Sequence, residues 1–305
     1  MAGAWVAGAV IPGPRAPAPE PQFVERWSWV MGQAVHVMVY AESEDAGLEA
    51  CARALAELRR VEDRLSLFAD ASDLCELNRH AGRSPMRVSP DVRDILQTAE
   101  TVRAQTQGAF NAAVEPLMRA WGFRQPRRSV PTEAEIAAAR EAVIAAVFQV
   151  DGDMVALPNA HTRLDMGGIG VGYGIDRAIA LLRGCGIRRA FIDIGGDCYG
   201  LGAPPDEPDG WLVEIAGEHK MVRLRNAALA TSANAQSVIR LGQRVVGHVM
   251  NPATGHPADG YRQASVIAGT ATAADAFSTA ALVAGPALNA LPPSLRLASV
   301  TPFLH

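Results

Sequence analysis

The chain has 305 residues, 49% hydrophobic and 20% charged, which is enough for a sizeable core in one large domain or two intimate lobes. A net charge of −4 provides no broad basic surface, which argues against nucleic acid as a partner. Lys220 is the only lysine, so a positive contact to a bound anion must come from Arg, a metal or backbone N–H groups.

Residues 1–24 read as a disordered, Pro-rich leader. Met1 to Ile11 is apolar but has no basic start, a poor match to a secretory signal. As written the chain reads as cytoplasmic; a mis-set start codon that trims a real signal would make it extracytoplasmic. No stretch reaches the roughly 18 apolar residues of a transmembrane helix. Cys51, Cys75, Cys185 and Cys198 form no C-x-x-C pair or zinc spacing and read as small buried hydrophobes, with disulfides left open.

The remainder, 25–305, reads as a single domain or two intimate α+β lobes. Val35 to Tyr40 is a strand candidate. Ala46 to Arg64 repeats apolar residues at helical spacing through Leu48, Cys51, Leu55, Leu58 and Val61. Ser89 is an N-cap candidate for a helix to about Thr106, and Glu115 to Trp121 is a short helix. Thr132 with Glu135 has capping-box spacing for a further helix through Ala139. Val147–Val150 and Met154–Leu157 flank Asp151-Gly152-Asp153 as a hairpin. Arg163 to Asp165 reads as a strand entering a glycine-rich turn, followed by a helix from Gly174 to Arg183. Strands follow at Arg189–Ile194, Val245–Met250 and Ala264–Ala268, with a hairpin from Trp211–Ala216 and Met221–Leu224. Thr272 to Ala284 is a helix ended by Gly285-Pro286. Helices mixed with hairpin-linked strands predict an α+β fold rather than a doubly wound sheet.

Three segments have the composition of a site. Asp165 to Arg177 carries glycines at 167, 168, 170, 172 and 174, the kind of backbone that lets N–H groups approach an anion or pack a tight turn. Its spacing matches neither the Rossmann nor the P-loop fingerprint. Asp275, Ser278 and Thr279 share one helical face and make a hard, incomplete oxygen set of the kind magnesium accepts. The competing reading of that segment is a cap, since Thr272 and Asp275 have capping-box spacing. His248 to Gly255 reads as a strand ending in a turn; its histidine serves either structure or proton transfer. Asn111 is by itself an ordinary loop residue.

Taken in order, several short motifs resemble the ApbE family of flavin transferases (FAD:protein FMN transferases). They are Met31-Gly32, Ser66-Leu67-Phe68, Ser72 to Asn78, Gly108 to Asn111, Pro116-Leu117, Trp121-Gly122-Phe123, Leu164-Asp165-x-Gly167-Gly168-Ile169, Gly195-Gly196-Asp197, Ala230-Thr231-Ser232, His248 to Gly255 and Asp275-Ala276-x-Ser278-Thr279. The likeness runs from about Trp29 to Gly285. It implies an α+β fold of mixed, largely antiparallel sheets with packed helices. It also implies FAD as donor, Mg²⁺ as metal, and transfer of FMN to a Ser or Thr hydroxyl of an acceptor protein with release of AMP. Carried over by motif, Asp275, Ser278, Thr279 and the Gly168 carbonyl hold the metal. Met31, Phe68, Ala109, Phe110, Asn111, Asp165, Val171 and Val249 contact FAD, and His248 is the candidate base. Four positions depart from the family pattern: Gln33 for Thr, Asn111 for Asp, Val171 for Lys and Asn251 for Asp. These departures keep two alternatives open, FAD hydrolysis to FMN and AMP and flavin binding without turnover.

Overall fold

The computed structural model describes residues 20–288 and 292–302. The expected leader therefore lies largely outside the described residues. Its boundary moves, however, because strand β1 already begins at Gln22 (Gln22–Val30) and pairs along its whole length with β2 (Gln33–Ala41). Two residues join them, Met31 at φ 55° and Gly32 at φ 70°, the left-handed pair that matches the twist of a tight hairpin.

The β1–β2 hairpin starts a seven-stranded antiparallel sheet. In spatial order it continues through β6 (Arg189–Ile194), β7 (Asp197–Leu201), β10 (Ala227–Ala233), β13 (Tyr261–Ala268) and β14 (Arg296–Pro302). Side chains alternate across it as the pleat requires. Val35, Val37, Val39, Ile192 and Ile194 join the core beneath the helices, whereas Met38, Tyr40 and Phe191 point to the other face. That other face is covered by the hairpin of β8 (Trp211–Ile215) and β9 (Lys220–Leu224), with Trp211 packed on Phe191.

The helical side holds α1 (Glu44–Leu65), α6 (Gly170–Gly184) and α7 (Ala271–Ala284). Between α1 and α6 the chain builds α2 (Asp73–Arg79), α3 (Pro90–Gln105), α4 (Glu115–Ala120), α5 (Glu133–Ile144) and a small sheet of β3 (Met86–Arg87), β5 (Met154–Ala156) and β4 (Gln149–Asp151). A two-stranded ribbon, β11 (Val238–Leu241) with β12 (Arg244–Gly247), packs on α4 and α5 through Leu241, Val246, Leu117 and Ile136. The expected α+β architecture of largely antiparallel sheets is the one observed. The Thr132–Glu135 capping box forms. The four cysteines are free, Cys51 and Cys198 buried.

Four expectations change. Arg163 to Asp165 is not a strand. Its backbone pairs with a side chain and a loop instead, since Asn78 donates to the Leu164 carbonyl and accepts from the Leu164 amide, and the Asp165 amide donates to the Ala112 carbonyl. α6 starts at Gly170, four residues earlier than expected, so Gly172 and Gly174 lie inside the helix. β12 stops at Gly247, leaving His248 in a bend where its amide donates to the Ser237 carbonyl. Thr270, not Thr272, caps α7 by accepting from the Ala273 amide at 3.3 Å. Asp275 is thereby released from the capping reading. The Thr272 hydroxyl and the amides of Ala271 and Thr272 donate instead to Asp176 of α6, at 2.5, 2.8 and 2.9 Å.

Candidate functional site

A cavity of about 570 Å³ lies where the sheet, the glycine loop and the α3–α4 segment meet. That volume falls within the range of small-ligand sites. Met31, Phe68, Ala109, Phe110, Asn111, Asp165, Gly168, Val171, His248, Val249, Asp275 and Thr279 all line it. Residues nearly 250 positions apart are thus brought to one cavity.

Each is held by local chemistry. Met31 occupies the strained left-handed position of the first hairpin, and its methyl group fits because residue 174 is glycine; a Cβ there would lie 2.6 Å from Met31 Cε. Ser66 ends α1, and its carbonyl accepts from the Ser72 hydroxyl at 2.6 Å. That bond presents Phe68 outward, 86% exposed, at the cavity rim. After α3, Gln107 and Gly108 take positive φ and turn the chain inward. Asn111 then closes a turn by accepting from the Ala113 amide at 2.9 Å. Asp165 organises the glycine loop: one oxygen accepts from the Gly167 amide at 2.8 Å and the other pairs with Arg124.

The oxygen-rich wall differs in one respect from the expected set. Asp275 and Thr279 face the cavity. Gly168 lies against Thr279, since a Cβ added at 168 would sit 2.9 Å from Thr279 Oγ1. Ser278 does not line the cavity. Its hydroxyl donates to the Asp275 carbonyl at 2.8 Å and shares a 2.8 Å hydrogen bond with Ser232, whose own oxygen lies 3.1 Å from Thr279 Oγ1. Ser278 thus stands behind the wall and positions it. Asp197 takes a place on the wall, steadied by the Thr231 amide at 2.9 Å.

The electrostatics of this wall would suit a cation. Burial raises Asp275 to about 7, against the pull of the Gly172 amide that donates to it at 3.0 Å, with Asp176 adding to the rise. Asp197 is also raised, by burial first and then by the charge of Asp275. Neither carboxylate has an ion-pair partner among the described residues. Desolvated carboxylates beside one another are unfavourable as anions unless a positive charge joins them. No three His, Cys, Asp or Glu side chains among the described residues gather as a ligand cluster. The donor set is therefore two carboxylates supplemented by hydroxyl and carbonyl oxygens, which suits a hard divalent ion that keeps waters or substrate oxygens.

His248 also lines the cavity, near Asp165 and Arg124. Its Nδ1 lies 3.2 Å from the Ser237 carbonyl, which favours the tautomer with the proton on Nδ1 and leaves Nε2 as acceptor. Burial lowers its pKa below the usual 6.5. Arg124, Asp197, Thr231, Ser232, Gln236 and Ser237 also line the cavity, and none carries a role in the sequence reading. Asp197, Thr231 and Ser232 do lie inside the motifs given above, and for Asp197 a carboxylate after two glycines was the available signal. Arg124 has only its place after the Trp121-Gly122-Phe123 turn.

An α+β fold with a ligand-sized cavity lined by carboxylates, hydroxyls and a histidine has the composition of an enzyme site. The chain belongs to the ApbE family, whose model matches residues 31–292, and with that family it is a transferase. A Salmonella typhimurium protein named FAD:protein FMN transferase is 30% identical over 72% of this chain and 67% of its own length. The apo form of the Pseudomonas stutzeri flavinyl transferase ApbE superposes with a TM-score of 0.79 at 26% identity, covering 90% of this chain and 88% of that one. The Thermotoga maritima ApbE protein gives 0.78 at 25% identity, covering 86% and 87%.

Proposed function

We propose that this chain transfers FMN from FAD to a Ser or Thr hydroxyl of an acceptor protein and releases AMP, with Mg²⁺ as the metal. The observation that carries the reading is that buried Asp275 and half-buried Thr279, Gly168 and Asp197 line one cavity of ligand size together with His248. The names of the relatives supply the donor and the kind of acceptor.

In this reading Asp275, Thr279, Asp197 and the Gly168 carbonyl hold the metal, with Ser278 and Ser232 orienting the hydroxyls. The ion supplies charge neutralisation of the pyrophosphate and of the departing AMP oxygen. Met31, Phe68, Ala109, Phe110, Asn111, Val171 and Val249 enclose the rest of FAD. The acceptor oxygen attacks the phosphorus of the FMN half in line with the bridging oxygen. A new P–O bond forms, the P–O bond to AMP breaks, and the acceptor proton passes to Nε2 of His248. His248 suits this step because burial keeps it neutral near pH 7.

The test is incubation of the purified protein with FAD, Mg²⁺ and candidate acceptor proteins, reading AMP by chromatography and flavin on the acceptor by in-gel fluorescence. Stoichiometric AMP and labelled acceptor are expected. AMP with free FMN and no labelled acceptor would replace the transferase reading with hydrolysis; tight FAD retention without AMP would replace it with binding alone. Asp275→Asn, which removes one metal charge, is expected to lower turnover by about 10³-fold at equal protein stability. Unchanged turnover would remove the metal assignment.

A further inference from the structure

Position 171 is valine where the family pattern has lysine, yet the cavity does not lack a fixed cation. Arg124 is the one Lys or Arg among the described residues that line it, in a lining that also holds Glu62, Asp165, Asp197 and Asp275. Its side chain is 16% exposed. One terminal nitrogen pairs with Asp165, and the guanidinium carbon lies 5.4 Å from the centre of the Phe68 ring. The Nε–H is buried and has no partner. A buried guanidinium donor without an acceptor leaves its surroundings incomplete. Asp165 does not fill the gap, because its second oxygen is occupied by the Gly167 amide. What remains is a planar, permanently charged group, tied through Asp165 to the glycine loop and holding an unspent donor at the cavity.

We propose that Arg124 is the phosphate-binding cation of this site: it binds the phosphate of the FMN half of FAD and stabilises its oxygens during transfer, replacing the lysine that Val171 lacks. This rests on the flavin-transfer reading above. The placement favours the FMN phosphate over the adenylate one, since Arg124 stacks on Phe68 and stands close enough to His248 for its charge to help lower the histidine pKa. His248 is the group that would receive the acceptor proton, so Arg124 lies at the attacked phosphorus rather than at the leaving group. Asp165 acts as the positioning residue that aims the guanidinium.

The experiment compares riboflavin and FMN, which differ by the phosphate alone, as ligands of the full chain without metal, by quenching of flavin fluorescence. In the wild-type chain FMN should bind at least about 10-fold more tightly than riboflavin, as a charge-assisted contact provides. Arg124→Gln should abolish that preference while leaving riboflavin affinity unchanged; Arg124→Lys should keep part of it. With FAD and Mg²⁺ at saturation, Arg124→Gln should slow AMP release about 10²-fold. Equal loss of riboflavin and FMN binding, or an FMN preference unchanged in Arg124→Gln, overturns the proposal. Should Arg124→Gln not fold, a wild-type FMN preference that persists undiminished in high salt decides against an exposed-charge origin and for the buried contact, and its absence altogether overturns it. A wild-type chain that prefers FMN but never releases AMP would instead overturn the flavin-transfer reading and leave the phosphate contact standing.

Discussion

His248 shows how far a single residue's chemistry depends on its setting. In the sequence it is one strand histidine of ordinary pKa; in the structure the strand has ended one residue earlier, and the side chain turns to the cavity. Burial lowers its pKa, partly offset by the Ser237 carbonyl and the Asp165 charge. The sign follows directly. A depressed pKa keeps the imidazole neutral, and therefore able to accept a proton, down to a pH below about 6.5. Turnover should accordingly be flat from pH 8 to 6.5 and fall only below that range. His248→Asn should lower turnover by about 10²–10³-fold and remove that acid limb. A pH–rate profile of both proteins at saturating FAD checks this, and an acid limb that survives in His248→Asn would assign the proton transfer elsewhere. At the same scale, Asp275 and Thr279 were legible because helical spacing puts them on one face. Ser278 shares that face by spacing but is turned away by its bond to the Asp275 carbonyl, a distinction of a few tens of degrees that periodicity does not resolve.

Helix α6 shows what an element's sequence conceals. Gly170 and Gly172 at its start read as a loop, because glycine weakens a helix by about 1 kcal/mol per residue relative to alanine. Tertiary packing overrides that cost. A Cβ at Gly172 would lie 2.6 Å from the Ala271 carbonyl carbon and 2.8 Å from the Thr272 nitrogen, so glycine alone permits this crossing of α6 and α7. The start of α7 is in turn satisfied by Asp176 from α6, a partner 95 residues away that no local pattern announces. Gly172→Ala sets two effects against each other. Helix propensity favours alanine by about 1 kcal/mol, while overpacking against backbone, which has no rotamer to yield, costs about 1–3 kcal/mol. The variant should be less stable by about 1 kcal/mol, read as a lowered urea midpoint. It should also lose metal affinity in isothermal titration, because the same shift pulls the Gly172 amide from Asp275. A stabilised variant would mean that the two helices separate freely and that the crossing does not set the wall.

At the scale of the whole molecule, the long antiparallel strands and amphipathic α1 were readable from alternation and helical spacing, whereas the sheet order was not: β2 pairs with β6 across some 150 intervening residues. That excursion is anchored by a charged cluster joining three distant helices. Asp91 of α3 accepts from Arg60 of α1 and, at 3.0 Å, from the Tyr173 hydroxyl of α6, with Arg177 of α6 near both Asp91 and Glu57. Burial pushes the Asp91 pKa up, but the bonds from Arg60 and Tyr173 and the nearby Arg177 together hold it below its ordinary value; Glu57 is lowered chiefly by its bond to Arg60. A carboxylate lowered in the folded state adds stability above its unfolded pKa of about 4 and loses it as pH falls through the folded value. Asp91→Asn should therefore cost about 1.5–3 kcal/mol at pH 7, the range for hydrogen bonds to a charged group. The gap to wild type should hold while the pH stays above the unfolded value and narrow as the pH falls below it and the native carboxylate also becomes protonated. Urea titrations of both proteins at pH 7, 5 and 3 measure it directly. A gap that stays constant across that range would show that Asp91 contributes by packing and neutral hydrogen bonds, and that charge does not fasten α3 to α1 and α6.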